Sequence, residues 1–77
     1  MVSDPTRLQL LSLIHESVDG RARVVDLTRA LGLRQPTVSH HVGLMADAGV
    51  LRRSPVGREV WYSIEVERLS AIADLLR

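Results

Sequence analysis

Gly32-Leu33-Arg34-Gln35-Pro36 separates two stretches that each carry a helical apolar period, and this short link limits the fold more than any other feature. Upstream, Val24, Leu27 and Leu31 recur on one face of a helix expected over Val24–Leu31. Asp26 in its first turn suits the positive end of the helix dipole. Gly32 ends that helix, and Leu33 is expected to turn back into the core. Downstream, Gln35 and Pro36 open a second helix that runs to about Ala48, because proline in the first helical turn forgoes only an N–H that is orphaned anyway. Gly49 then stops the helix. Two helices joined by so few residues, with glycine in the turn, make a helix-turn-helix unit.

The second of these helices divides by face. Val38, Val42 and Met45 lie within about 60° of one another on a helical wheel, with His41 at the edge of the stripe. Thr37, Ser39, His40 and Gly43 point elsewhere. The outward side of the first two turns is therefore small, polar and uncharged. Side chains of that kind fit close approach to base edges, where Gln, Ser, Thr and His donate and accept hydrogen bonds. Adjacent histidines diverge by about 100° on a helix, whereas metal-binding pairs sit at i, i+4, so His40 and His41 do not form a metal site. His41 is expected to be half-buried with a hydrogen bond, His40 to contact DNA, and His15 to lie at the edge of the core. Ser39 beside His40 lacks a third group to orient the pair, so no catalytic centre is expected.

After Gly49 the period changes to two. Val60, Tyr62 and Ile64 alternate with Glu59, Trp61 and Ser63, beyond a Ser54-Pro55-Val56-Gly57 turn signal. This is a β-hairpin, and a hairpin directly after a helix-turn-helix is a wing. Arg52, Arg53 and Arg58 are expected to cluster near its tip and to contact phosphate. Trp61 has two open readings: packed on the C-terminal helix, or exposed beside DNA. Ahead of the helix-turn-helix, Asp4-Pro5 starts a helix to about His15, with Leu8, Leu11 and His15 on one side and Leu10, Leu13 and Ile14 on the other. A short helix apolar on two sides needs two partners, the domain core and either a further helix or a second subunit. Val66 to Arg77 reads as an amphipathic helix with Leu69, Ile72, Ala73 and Leu76 on one stripe.

Composition closes off other classes. A chain of 77 residues has room for one small domain, taken here as residues 1–77. With no Cys, no disulfide framework or thiolate metal site can form. One Trp, one Tyr and no Phe leave an aliphatic core. The apolar runs are too short to span a bilayer, and the N-terminus lacks a signal-peptide pattern, so no membrane partner and a cytoplasmic location are expected. A net charge of +1 leaves the case for nucleic acid to the distribution of charge.

Three segments carry a resemblance: SDPTRLQLLSLI at Ser3–Ile14, VVDLTRALGLRQPTVSHHVGLMADAGVL at Val24–Leu51 and GREVWYSI at Gly57–Ile64. In order and spacing they resemble the ArsR/SmtB family of bacterial winged-helix repressors. The resemblance implies a mainly α winged helix-turn-helix fold with a β-hairpin wing. It also implies a homodimeric repressor of a pseudo-palindromic operator in double-stranded DNA. Gln35, Thr37, Ser39 and His40 would read bases from the opening of the recognition helix, and Arg34, Arg52, Arg53 and Arg58 would hold phosphates. In the family the dimer uses a helix ahead of the Asp-Pro segment together with the C-terminal helix. This chain starts at that segment, so either it is a truncated form or its dimer rests on Leu69, Ile72, Ala73 and Leu76.

Departures from the family pattern bear on ligands. Arsenic and cadmium sensors carry Cys-Val-Cys-Asp-Leu where this chain reads Arg23-Val24-Val25-Asp26-Leu27, and Arg and Val do not ligate a metal. The C-terminal segment offers Glu65, Glu67 and Asp74 but no His for the zinc site of other members. No metal or cofactor is expected, and the sequence specifies no inducer. Arg34 stands where Ser is usual, losing a capping hydroxyl and offering a phosphate contact. Gly43 stands where Lys is common, at a cost of roughly 1 kcal/mol in helix propensity. The rival reading is a winged helix that docks a protein, which salt dependence of duplex binding would separate from a DNA reader.

Overall fold

The computed structural model describes residues 5–66 and residue 75. Helix α1 spans Pro5–Glu16, α2 Val24–Leu31 and α3 Gln35–Asp47, with strands β1 at Arg21–Ala22, β2 at Leu51–Val56 and β3 at Glu59–Ile64. The strands form one antiparallel sheet in the order β1-β3-β2. The fold is a winged helix-turn-helix.

Leu10 and Ile14 of α1, Leu27 of α2 and Val38 and Val42 of α3 are fully buried, and Leu51 and Tyr62 close the core from the sheet. Except for Tyr62 these side chains are aliphatic, as the composition requires. Leu10 and Ile14, one turn apart, are thus the core side of α1, and Leu13 packs partly against the same core. The outward leucine is Leu8, at 64% exposure. His15 is exposed instead of lying at the core edge. It follows Ile14 by about 100° of helix, which swings it away from the packed side.

The helix-turn-helix forms where expected, but Leu33 stays at the surface, at 36% exposure. Gly32 closes α2 with φ at +69°, and the short link to Gln35 follows at the surface. Helix α3 ends in a Schellman motif: the Gly49 N–H donates to the Ala46 carbonyl at 3.0 Å and the Val50 N–H to the Met45 carbonyl at 2.9 Å. The motif needs a left-handed residue, which Gly49 supplies at φ +81°.

In the hairpin, Leu51 pairs with Ile64 at the base and Val56 with Glu59 at the far end, joined by Gly57 and Arg58. Gly57, at φ +62°, takes the first place of this two-residue loop, where a positive φ lets the strands keep their twist. Pro55 lies in β2, an edge strand by the sheet order, so its missing N–H costs no ladder bond. Tyr62 is buried and Ile64 half-buried as the alternation requires, but Val60, nearer the tip, is 38% exposed. Strand β1 pairs Arg21 with Ser63 and Ala22 with Tyr62, so it braces only the basal half of the hairpin. The stripe Leu69, Ile72, Ala73 and Leu76 lies outside the described residues.

Candidate nucleic-acid interface

Helix α3 sorts its side chains cleanly. Val38, Val42 and Met45 are buried, while Gln35, Thr37, Ser39 and His40 are all exposed. Its first turn is preceded by Arg34, whose extended backbone (φ −77°, ψ 145°) starts the helix without a side-chain cap. Arg34 is itself exposed. His41 is half-buried, and its Nδ1 accepts from Arg7 Nε at 3.5 Å. Its ring centroid lies 6.1 Å from that of His40, with the planes 60° apart. Among the described residues, no three His, Cys, Asp or Glu side chains converge on a site that could hold a metal ion.

The wing arginines do not cluster at the tip. Arg52 pairs in the ladder with Ser63 and Arg53 with Tyr62, both toward the base, because the turn lies at Gly57-Arg58 rather than across Ser54-Pro55-Val56-Gly57. Neighbours in a strand face opposite sides of the sheet, so the two guanidinium groups also part company. Arg52 Nε and NH2 donate to the Glu65 carboxylate at 3.0 and 2.9 Å. Arg53 Nε donates to the Tyr62 hydroxyl at 3.3 Å, and its guanidinium stands 5.7 Å from that ring's centroid. The Tyr62 hydroxyl, as hydrogen-bond acceptor, raises the Arg53 pKa above its usual value. Arg58 alone of the three sits in the hairpin loop, exposed.

A surface groove of about 370 Å³ joins the two halves of the candidate interface. It is lined by Gln35 and Ser39 of α3, by Arg58, Glu59, Val60 and Tyr62 of the wing, and by Arg23, Val24 and Val25 at the start of α2. The structure thus brings two of the expected base readers and the tip arginine around one depression. Arg52 and Arg53 are not among the groove's lining residues.

Sequence reasoning missed a cluster at this groove, where Arg23 and Glu59 are lining residues. Arg23 Nε and NH2 donate to the two oxygens of Asp26, each at 3.0 Å, and NH1 pairs with Glu59 at the start of β3. Asp26 also accepts the Arg23 backbone N–H at 3.0 Å, tying down the first turn of α2. The Arg23 side chain, and then its backbone N–H, hold the Asp26 carboxyl below its ordinary range. Asp26, then Glu59, raise the Arg23 pKa in turn. Trp61 lies beneath two guanidinium groups, Arg21 at 4.5 Å and Arg23 at 4.9 Å from its ring centroid. Of the two readings of Trp61, neither anticipated this. The i, i+3 spacing of Arg23 and Asp26 was the one available signal; the partner on β3 had none.

Comparison with known proteins agrees with this architecture. Residues 4–53 match the model of the bacterial regulatory protein, arsR family. The HTH-type transcriptional regulator MJ1325 of Methanocaldococcus jannaschii is 34% identical over 95% of this chain and 80% of its own length. The arsenic resistance transcriptional regulator ArsR1 of Pseudomonas putida is 35% identical over 86% of this chain, which spans only 50% of that protein. In fold, the chain is similar to the homodimeric winged helix-turn-helix DNA-binding domain Mb0332 of Mycobacterium bovis, with a TM-score of 0.73 and 24% identity over 95% of this chain and 68% of that one. With a matched segment running from α1 through the helix-turn-helix into the wing, the chain belongs to the arsR family of bacterial transcriptional regulators.

Proposed function

We propose that residues 1–77 form a single domain that binds duplex DNA sequence-specifically as a homodimer and represses transcription. The observation that carries this reading is the exposed, uncharged face of α3 lying across one groove from the wing-tip arginine. Gln35, Thr37, Ser39 and His40 read base edges in the major groove. Arg34, Arg53 and Arg58 anchor on phosphates, and Arg52 does so by exchanging Glu65 for the backbone, which makes it the weakest anchor of the four. The reading assigns no catalytic step, metal or cofactor, and it places the protein with the DNA in the cytoplasm. Homodimerisation is supported by the need for a second half-site and by the homodimeric Mb0332 domain of like fold.

The test is selection of duplexes from a random-sequence pool, followed by titration of the selected duplex at several salt concentrations. The expected result is an enriched pseudo-palindrome whose affinity falls steeply with salt, as counterion release demands. A pool without enrichment, and without salt-dependent affinity for duplex, would leave the domain as a protein-docking module.

A further inference from the structure

From Trp61 to the loop the hairpin is a two-stranded ribbon, since β1 pairs only with Tyr62 and Ser63. Ribbons of two strands twist freely and have little stability of their own. Yet Arg58, at the end of this ribbon, shares a groove with Gln35 and Ser39 of α3. Something must set the distance between them. Among the hydrogen bonds and ion pairs of the described residues, the Arg23–Glu59 pair joins the outer hairpin to the helices. Glu59 is the residue next to Arg58. Arg23 is itself held on α2 by two bonds to Asp26, and its guanidinium stands 4.9 Å from the ring centroid of Trp61, also on β3.

We infer that Arg23 is a positioning residue for DNA binding: it clamps Glu59 and Trp61 of the wing to the start of α2 and so holds Arg58 at a fixed distance from the reading face of α3. The inference rests on the DNA-binding reading above. Arg23 stacks and bonds in several directions at once, which a planar guanidinium can do and an ammonium cannot. Isolated surface ion pairs contribute little to stability. The clamp acts instead on geometry, by limiting the positions open to a flexible ribbon before DNA arrives, so that less freedom is lost on binding. Its acidic member also gives the inference a distinctive sign. Glu59 lines the groove beside Arg58, and by charge alone its removal should favour a polyanion. As a clamp partner its removal should do the reverse.

The experiment uses the duplex selected by the wild-type chain and two variants, Glu59→Gln and Arg23→Lys. Glu59→Gln removes a negative charge from the interface, and Arg23→Lys keeps the positive one. Each is expected to weaken binding to that duplex by about tenfold, within the range of coupled neighbours. In an Arg58→Ala background both should cost little more, because the residue they position is gone. Trp61, the only tryptophan, reports the clamp without DNA: acrylamide should quench it more strongly in both variants than in wild type. Thermal melts check that both variants fold; if Arg23→Lys does not, Glu59→Gln, distant from the core, still decides. Variants that bind as tightly as wild type or tighter, with unchanged quenching, would overturn the clamp. A wild-type chain that selects no duplex would instead sink the DNA-binding reading and leave the quenching result to judge the clamp alone.

Discussion

Ser39 and His40 are exposed on α3 with no bulk between them and a ligand, whereas Arg53 and Arg58 belong to the wing. The two sets should fail differently. Ser39→Ala or His40→Ala is expected to weaken binding to the selected duplex by roughly 1–3 kcal/mol and leave random duplex nearly untouched, as lost base contacts do. Arg53→Ala or Arg58→Ala is expected to weaken both duplexes about equally and to flatten the salt slope. Competition titrations of each variant at several salt concentrations separate the outcomes; sets that behave alike would void the division into reading helix and anchoring wing. The exposed face of α3 was legible from sequence because helical periodicity alone sorts Val38, Val42 and Met45 from their neighbours. The state of each arginine was not. Which carboxylate a guanidinium meets depends on residues far along the chain, as with Arg23 and Glu59, and a strand's register decides whether Arg52 or Arg53 faces Tyr62. Leu33 and His15 were misplaced for a related reason: each lies at the end of its segment, where a single residue's rotation decides burial and no periodic neighbour votes.

At the scale of elements, α2 and α3 could be read nearly to the residue because glycine punctuates them. The hairpin followed from its change of period. Strand β1 could not be read, since two residues carry no period and Arg21–Ala22 becomes a strand only by pairing with β3. Gly43, inside α3, is a place where the local signal runs against the element that forms, as Ser54-Pro55 is in β2. Gly43 is a poor helix former at a position whose backbone is ordinary helix, and a methyl group built there meets nothing within 4 Å. Gly43→Ala is therefore expected to stabilise the domain by about 0.5–1 kcal/mol, through propensity and a less flexible unfolded chain. A thermal melt should show a rise of a few degrees, on the order expected for a domain of this size. Affinity for the selected duplex should stay close to wild type, since alanine adds neither charge nor hydrogen bond; a clear loss would mean that DNA approaches the α3 backbone closely at Gly43.

For the whole molecule, the unresolved question is how one small domain binds tightly enough to regulate. A single recognition helix reads a few base pairs, and the four arginines proposed as anchors would give few phosphate contacts. A symmetric dimer places two such helices about one turn of duplex apart, roughly 34 Å, and makes the second contact effectively intramolecular. The apolar surface for that assembly is narrower than the two-sided pattern of α1 suggested, because Leu10 and Ile14 are consumed by the core. Leu8 is left on α1, beside a groove of about 240 Å³ that it shares with Leu11, Leu44 and Val50. The stripe of Leu69, Ile72, Ala73 and Leu76, outside the described residues, is proposed to supply more. Burying such a stripe at about 25 cal/mol per Å² is the largest favourable term open to a chain this short. Ile72→Glu sets a charge at the centre of the stripe. It is expected to give a monomer in sedimentation, folded or partly unfolded by circular dichroism, whose affinity for the selected duplex falls further than that of any single-arginine variant. Leu8→Glu separates the two possible reasons. If the stripe and α1 meet across a dimer, this exposed substitution should leave the melt near wild type and still weaken association. A wild-type chain that stays monomeric at high micromolar concentration while binding the duplex tightly would assign the stripe to the interior of one domain.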